Sequence, residues 1–290
     1  MKTKYFSIIA AAFALVACDK NNDDFNIDNT KDTPITIVSA GVAELTTRAG
    51  TYPLVGIDAS NPATIGVFVT GGKKDECNAT NVEWEHGGSS WKKIGNETML
   101  YEGAGSKQTI YACSPYDANA TAGTITVTAT DRKDWLVATA TPLTSNSVSL
   151  TMNHALTKLK LKVSGYGSEV SADNQEIRSV KVGDMYASGT LSISDNSWDL
   201  GDSPTITELT MTDNELLVIP MASCPSFPIT ITMADGRTFK AAISLTGVGN
   251  KLEAGTQYKI ILQVGQDKVT LGDITAAPWK IMNGGELKTE

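Results

Sequence analysis

Alternation of apolar and polar residues with a period of two runs through most of this chain from Thr33 onward. That spacing puts one side of an extended segment against a core and the other toward water, so it selects strands over helices. Ile35 and Ile37 face one way in the first short run. Ile65, Val67 and Val69 repeat the pattern before Gly71 and Gly72 stop it. Ile125, Val127 and Ala129 alternate with threonines, and Val148, Leu150 and Met152 follow. Leu159, Leu161 and Val163 point opposite to Lys158, Lys160 and Lys162, which reads as a half-exposed antiparallel strand. Ile229, Ile231 and Met233 lead through Asp235-Gly236 to Phe239, Ala241 and Ile243, a strong hairpin signal. Tyr258, Ile260, Leu262 and Val264 make a late strand, and Val269 and Leu271 one more. No stretch of 12 or more residues carries a 3.6-residue period; short helical turns are expected near Asn153–Leu156 and in loops.

The fold class is therefore all-β, and two antiparallel β-sandwiches in tandem fit better than one. At 290 residues the chain is long enough for one large domain or two ordinary ones. The loop-like centre at Thr141–Asn146 marks the boundary, giving expected domains at 33–145 and 146–290. Thirty-five threonines against 6 Phe and 5 Trp support a strand-rich reading. A net charge of −8 argues against a nucleic-acid partner, since phosphate binding needs a basic surface. Two histidines and four cysteines make a His-rich metal centre unexpected, and no cofactor motif is present. The chain has no G-x-S-x-G, H-E-x-x-H or phosphate-binding loop, so an enzyme is not expected, although a carboxylate pair would leave no such trace.

The first 17 residues read as a signal peptide: Lys2 and Lys4, then an apolar run from Tyr5 to Val16 that is too short for a permanent span. It ends in Leu15-Val16-Ala17-Cys18, which resembles a bacterial lipobox with Cys18 as the lipidated first residue of the mature chain; an ordinary signal peptide with a chance cysteine is the alternative. Acyl chains would attach the protein to the outer membrane. Residues 18–32 are polar and acidic and read as a flexible tether. Asp19 to Asp24 either act only as a soluble linker or resemble the acidic tag that directs lipoproteins to the outer surface in some gut anaerobes.

Cys77, Cys113 and Cys224 are odd in number and lie in no C-x-x-C, so small buried hydrophobes are expected, with one disulfide left open. A catalytic thiol would need His86 or His154 beside it, and nothing in the spacing provides that. The segment Asp75–Gly105 alternates poorly and reads as a long loop or irregular hairpin. Its Trp84 and Trp91 are expected to cover a sandwich edge; with Trp198 they could alternatively form an aromatic platform for glycans on a monomeric surface lipoprotein.

Four segments in order resemble the fimbrillin (Mfa-like) family of lipoprotein pilins of type V pili. They are Tyr111-Ala112-Cys113-Ser114-Pro115-Tyr116, the run from Met152 to Leu159 containing His154-Ala155-Leu156, the turn from Leu252 to Tyr258, and the closing run from Ile274 to Trp279. The resemblance implies two transthyretin-like sandwich domains. It also implies that an Arg-specific protease cuts between Arg48 and Ala49, in Thr46-Thr47-Arg48-Ala49-Gly50. Loss of residues 18–48 would remove the strand near Ile35–Val38 and leave an unpaired edge. A neighbouring subunit's C-terminal segment would then fill the groove by β-augmentation. In this chain that segment is Val269–Leu287, with Val269, Leu271, Ile274, Trp279, Ile281 and Leu287 as apolar candidates, interrupted by Pro278 and by Gly284-Gly285. The expected function is a stalk or tip subunit of a surface fimbrium, partnered by other pilin subunits. A host or bacterial surface ligand is left open, and a lipid-retaining pilus anchor is the alternative within the family. His154 is expected to order a turn or boundary through a hydrogen bond.

Overall fold

The computed structural model describes residues 32–43, 51–53, 62–120, 122–168, 175–202, 205–265 and 268–279. The first half of the chain supplies β1 (Thr33–Pro34), β2 (Thr36–Ala43), β3 (Thr51–Pro53), β4 (Ala63–Thr70), β5 (Ala79–His86) and β6 (Trp91–Lys93). It continues with β7 (Leu100–Tyr101), β8 (Thr109–Ser114), β9 (Thr124–Thr128), β10 (Leu136–Pro142) and β11 (Ser147–His154). The second half begins with β12 (Thr157–Tyr166), β13 (Ile177–Tyr186), β14 (Ser188–Ser192), β15 (Ser197–Asp199) and β16 (Ile206–Thr210). It ends with β17 (Glu215–Val218), β18 (Ser226–Met233), β19 (Thr238–Ser244), β20 (Thr256–Val264) and β21 (Val269–Pro278).

Among the described residues there is no α-helix, only short 3₁₀ turns at Asp75–Cys77 and Thr246–Val248. The helical turn expected near Asn153–Leu156 is absent. Asn153 and His154 end β11, and Ala155 and Leu156 are buried between β11 and β12. The chain passes from β11 to β12 through a bend at Leu156, with both apolar side chains buried. The Asp75–Gly105 segment is the irregular hairpin of the two expected forms: β5 pairs with β6, while β7 turns away to pair with β1.

Eight strands form one sheet in the order β3-β2-β11-β10-β8-β4-β5-β6. The sheet curls until β2 and β6, near its two ends, touch. Its concave face buries the alternating residues of the sequence: Ile35, Ile37, Ile65, Val67, Val69, Val148, Leu150 and Met152, with Trp84 and Trp91. In the second half, sheets β17-β12-β20-β21 and β16-β13-β18-β19 enclose a separate core. Tyr258, Ile260, Leu262 and Val264 pack there against Ile229, Ile231, Met233 and Ile243. The Asp235-Gly236 turn joins β18 to β19 as the sequence implies; Gly236 takes φ +89°, a conformation glycine adopts without strain.

Two features depart from the expected arrangement. Two strand pairs are parallel, β2 with β11 and β12 with β20, so the sheets are mixed rather than purely antiparallel. Both pairs join segments far apart in sequence, which leaves ample chain for the crossover a parallel pair requires. A further sheet, β15-β14-β9, joins the two halves, and beneath it lies a third core. That core combines Phe68, Ile125, Val127 and Trp135 with Leu191, Ile193 and Ile219.

The lysine face of β12 is only partly free. Lys158 and Lys160 both pair with Glu215 of β17, while Lys162 is exposed. Burial alone would raise the Glu215 carboxyl, but hydrogen bonds from the two ammonium groups outweigh it and hold the group below its usual range.

Candidate functional site

The segment Thr33–Ala43 links two places that do not otherwise pair. β1 pairs with β7, placing Thr33 opposite Tyr101. The Ile35 N–H donates to the Met99 carbonyl at 2.9 Å, and one residue later the Thr36 N–H donates to Asn146 O at 2.7 Å. From there β2 runs parallel to β11, from Thr36 opposite Ser147 to Val42 opposite Met152, and its far end pairs with β3. The segment thus changes partners at Ile35 and closes the curled sheet.

Its inward side chains are Ile35, Ile37, Ala40 and Val42, all buried with Trp84, Trp91, Met99, Leu143 and Leu150. Strict alternation would have placed residue 39 inward. Instead the pairing with β11 slips between Ile37 and Ser39, leaving Val38 as an extra residue that is 56% exposed. Burying Ile35, Ile37 and Val42 is worth about 1.5–3 kcal/mol each as an upper estimate. The ion pair between Asp32 and Lys74 at the entrance is largely exposed and adds little.

The other end of the described chain is an edge strand. β21 pairs with β20 alone, and its Val269, Leu271 and Ile274 pack on the second core. Trp279 follows directly. Its N–H donates to Gly255 O at 2.7 Å, and its ring stacks on His154 with centroids 3.7 Å apart and planes 10° from parallel. His154 is 3% exposed; its Nδ1 lies 2.9 Å from an Asp134 carboxylate oxygen, and its Nε2 has no partner. The Lys158 ammonium stands 5.3 Å from the indole centroid. A cleft of about 440 Å³ opens at this point, lined by Val42, Asn153, His154, Glu253 and Trp279 among others. The last inward residue of the first strand and the end of the last strand therefore share one cavity wall.

Of the residues singled out from sequence, Val269, Leu271, Ile274 and Trp279 stand on or beside β21. Cys18, Arg48, Ala49, Ile281 and Leu287 lie outside the described residues. Trp84 and Trp91 do not form a glycan platform. They are 4% and 6% exposed, their rings inside the first core, because the curl of the sheet turns β5 and β6 inward. Trp198 packs against the joining core and donates its indole N–H to Ala155 O at 3.2 Å.

Cys77, Cys113 and Cys224 are free and buried. Burial pushes Cys77 up to about 11, aided by the negative charge of Asp32 and Glu102, and Cys113 up to about 12. Burial also raises Cys224, with Asp184 adding to it. Such thiols stay protonated at neutral pH and are poor nucleophiles. Among the described residues no cluster of His, Cys, Asp or Glu has the arrangement to hold a metal.

Sequence reasoning missed the bulge at Val38, the parallel pairing of β2 and the buried amide of Gln108. The Gln108 amide donates to the carbonyls of Cys77 and Leu100 and accepts from the Glu102 N–H, tying β7 to the 3₁₀ turn. Only the bulge had a visible signal, the apolar spacing Ile35, Ile37, Ala40, Val42.

Several solved structures share this fold. One is a candidate cell-adhesion protein from Bacteroides uniformis, with a TM-score of 0.65 at 16% identity, covering 86% of this chain and 99% of the other. Another, from Bacteroides ovatus, has a TM-score of 0.65 at 18% identity, covering 87% and 99%. A fimbrial protein from Bacteroides vulgatus matches with a TM-score of 0.50 at 14% identity, covering 84% and 99%. A search of curated proteins gave no match. The profile of the fimbrillin-like family matches residues 47–279, beginning beside Arg48 and ending at Trp279. By that match, spanning most of its length, the chain belongs to the fimbrillin-like family.

Proposed function

We propose that the chain is a structural subunit of a cell-surface fimbrium, in a stalk or tip position. In this reading it is exported with residues 1–17 as a signal peptide and anchored to the outer membrane through lipidated Cys18. An Arg-specific protease then cuts between Arg48 and Ala49, and the subunit assembles by donor-strand exchange with other pilin subunits. Its architecture is read as two transthyretin-like sandwich domains with the β15-β14-β9 sheet as their junction; because β11 belongs to the eight-stranded sheet, the boundary expected at 145/146 is moved to Ala155–Leu156. The observation that supports assembly most is the first strand. It closes a curled sheet, and its removal would leave buried apolar surface and unpaired backbone on β11 and β7. A strand from another subunit meets both needs, with backbone hydrogen bonds for affinity and alternating side chains for register. The donor is the C-terminal segment from Val269, including Leu271, Ile274, Trp279 and Ile281.

The test is the intact mass and first residue of the protein taken from its native surface. A lipid-free chain starting at Ala49 is the expected result. An acylated chain starting at Cys18 would remove the exchange mechanism for this subunit and leave a pilus anchor or a surface-binding lipoprotein.

A further inference from the structure

The first strand and the last strand share a bulged spacing of their inward residues. In β2 and the residue before it, the inward positions are 35, 37, 40 and 42, at intervals of two, three and two, with Val38 as the extra residue. In β21 the residues packed on the core are Val269, Leu271 and Ile274, at intervals of two and three. The pairing of β21 with β20 slips at the matching place: Ile261 faces Asp273 and Leu262 faces Leu271, so Gly272 is the extra residue. Laid over one another, Ile35-Thr36-Ile37-Val38-Ser39-Ala40 and Val269-Thr270-Leu271-Gly272-Asp273-Ile274 agree in apolar positions, polar positions and bulge. A bulge shifts the side-chain phase by one residue, so a groove shaped around it rejects a regularly alternating strand on one side of the bulge or the other.

We infer that the groove holding Ile35–Val42 selects its occupant by this bulged spacing, and that its fitting partner is residues 269–276 of a second copy of this chain, in one register. Val269 takes the place of Ile35, Leu271 of Ile37, Ile274 of Ala40 and Ala276 of Val42, with Gly272 at the bulge. The inference rests on the donor-strand reading above and adds the register, the selectivity and self-assembly. β21 is free to serve because, among the described residues, it is an edge strand held by β20 on one side only. β12 carries an extra residue too, Ser164, and β13 slips between Val182 and Met185 and buries Val180, Val182 and Met185 at the same intervals of two and three, but β12 lies between β17 and β20 and β13 between β16 and β18, so neither can leave without dismantling the second core. The exchange reverses small and large at the last two positions. The smaller Ala276 falls where Val42 lines the cleft beside His154 and Trp279.

In this register Thr270 lies where Thr36 lies, opposite Ser147, and all three side chains are exposed. The full-length secreted chain is cut with an arginine-specific protease in two preparations, one carrying Ser147→Cys and the other Thr270→Cys, and the two are mixed under mild oxidation. The expected product is filaments joined by intermolecular disulfides, with none from a pairing of Thr151→Cys with Thr270→Cys. A synthetic peptide of residues 268–279 should block filament growth at about a tenfold lower concentration than the same peptide lacking Gly272. Filaments that cross-link only through the displaced pair, or equal potency of the two peptides, would overturn the register and leave assembly standing. A cut chain that stays monomeric would overturn both.

Discussion

The two halves of the molecule seal their cores differently. The second half encloses its core between two complete four-stranded sheets, and β21 covers only one margin. The first half bends a single sheet onto itself and closes it with a segment from far upstream in the chain, paired in parallel on β11. Removing an edge strand from a sandwich exposes a border. Removing the closing strand of a curled sheet exposes its interior, here the neighbours of Ile35, Ile37, Ala40 and Val42. The difference locates the point at which the molecule is easiest to open by cutting the chain once.

The largest effect should come where the two ends meet. Trp279→Ala removes a buried indole from the His154 stack and should cost about 3–5 kcal/mol. Amide exchange should show lost protection along β21 before any other strand; uniform loss would mean Trp279 does not hold that end in place. A paired comparison sharpens the contrast between the closing strand and the edge. Ile37→Ala should lower stability by about 2–5 kcal/mol, because its pocket is complete, whereas Leu271→Ala at the half-buried edge should cost about 1 kcal/mol. Urea midpoints would show it, and equal losses would mean that the closing strand and the edge strand are equally replaceable.

Glycines give a smaller test. A β-carbon at Gly72 would lie 2.6 Å from the Cys77 carbonyl oxygen, so Gly72→Ala should destabilise by about 1–3 kcal/mol. Gly247, in the second half, has open space around it, and Gly247→Ala should be nearly silent in the same thermal melts. The smallest effect is electrostatic. The Glu215 carboxyl titrates lower in the folded state than in the unfolded chain, so its contribution is present above the unfolded value and is lost as pH falls through the folded one. Glu215→Gln should flatten the acid limb of the stability profile by less than about 1 kcal/mol. An unchanged limb would show that Lys158 and Lys160 are satisfied by water.

The alternating runs made most strands legible in sequence, because a half-buried strand repeats its burial every second residue. Ile65-Val67-Val69 and Tyr258-Ile260-Leu262 need nothing more. Short strands such as β6 and β7 escaped notice because two or three residues cannot display a period. Parallel pairing of β2 with β11 was hidden for another reason: pairing partners more than a hundred residues apart leave no local trace. The paired tryptophans were legible as edge covers but not as core, since only the curl of the sheet, a tertiary property, decides which face of β5 is inside.

The joining sheet has a consequence for load. Five residue pairs connect β9 to β14, flanked by hydrogen bonds from Ala129 to Ala187 and from Ile193 to Gly123. Tension along a fibre of such subunits would pass from one half to the other through this ladder and its core as well as through the covalent chain at Ala155–Leu156, between β11 and β12. Where the ladder lies along the pull, its hydrogen bonds share the strain and fail together rather than one at a time, so each subunit would transmit force as a stiff link rather than as two beads on a string.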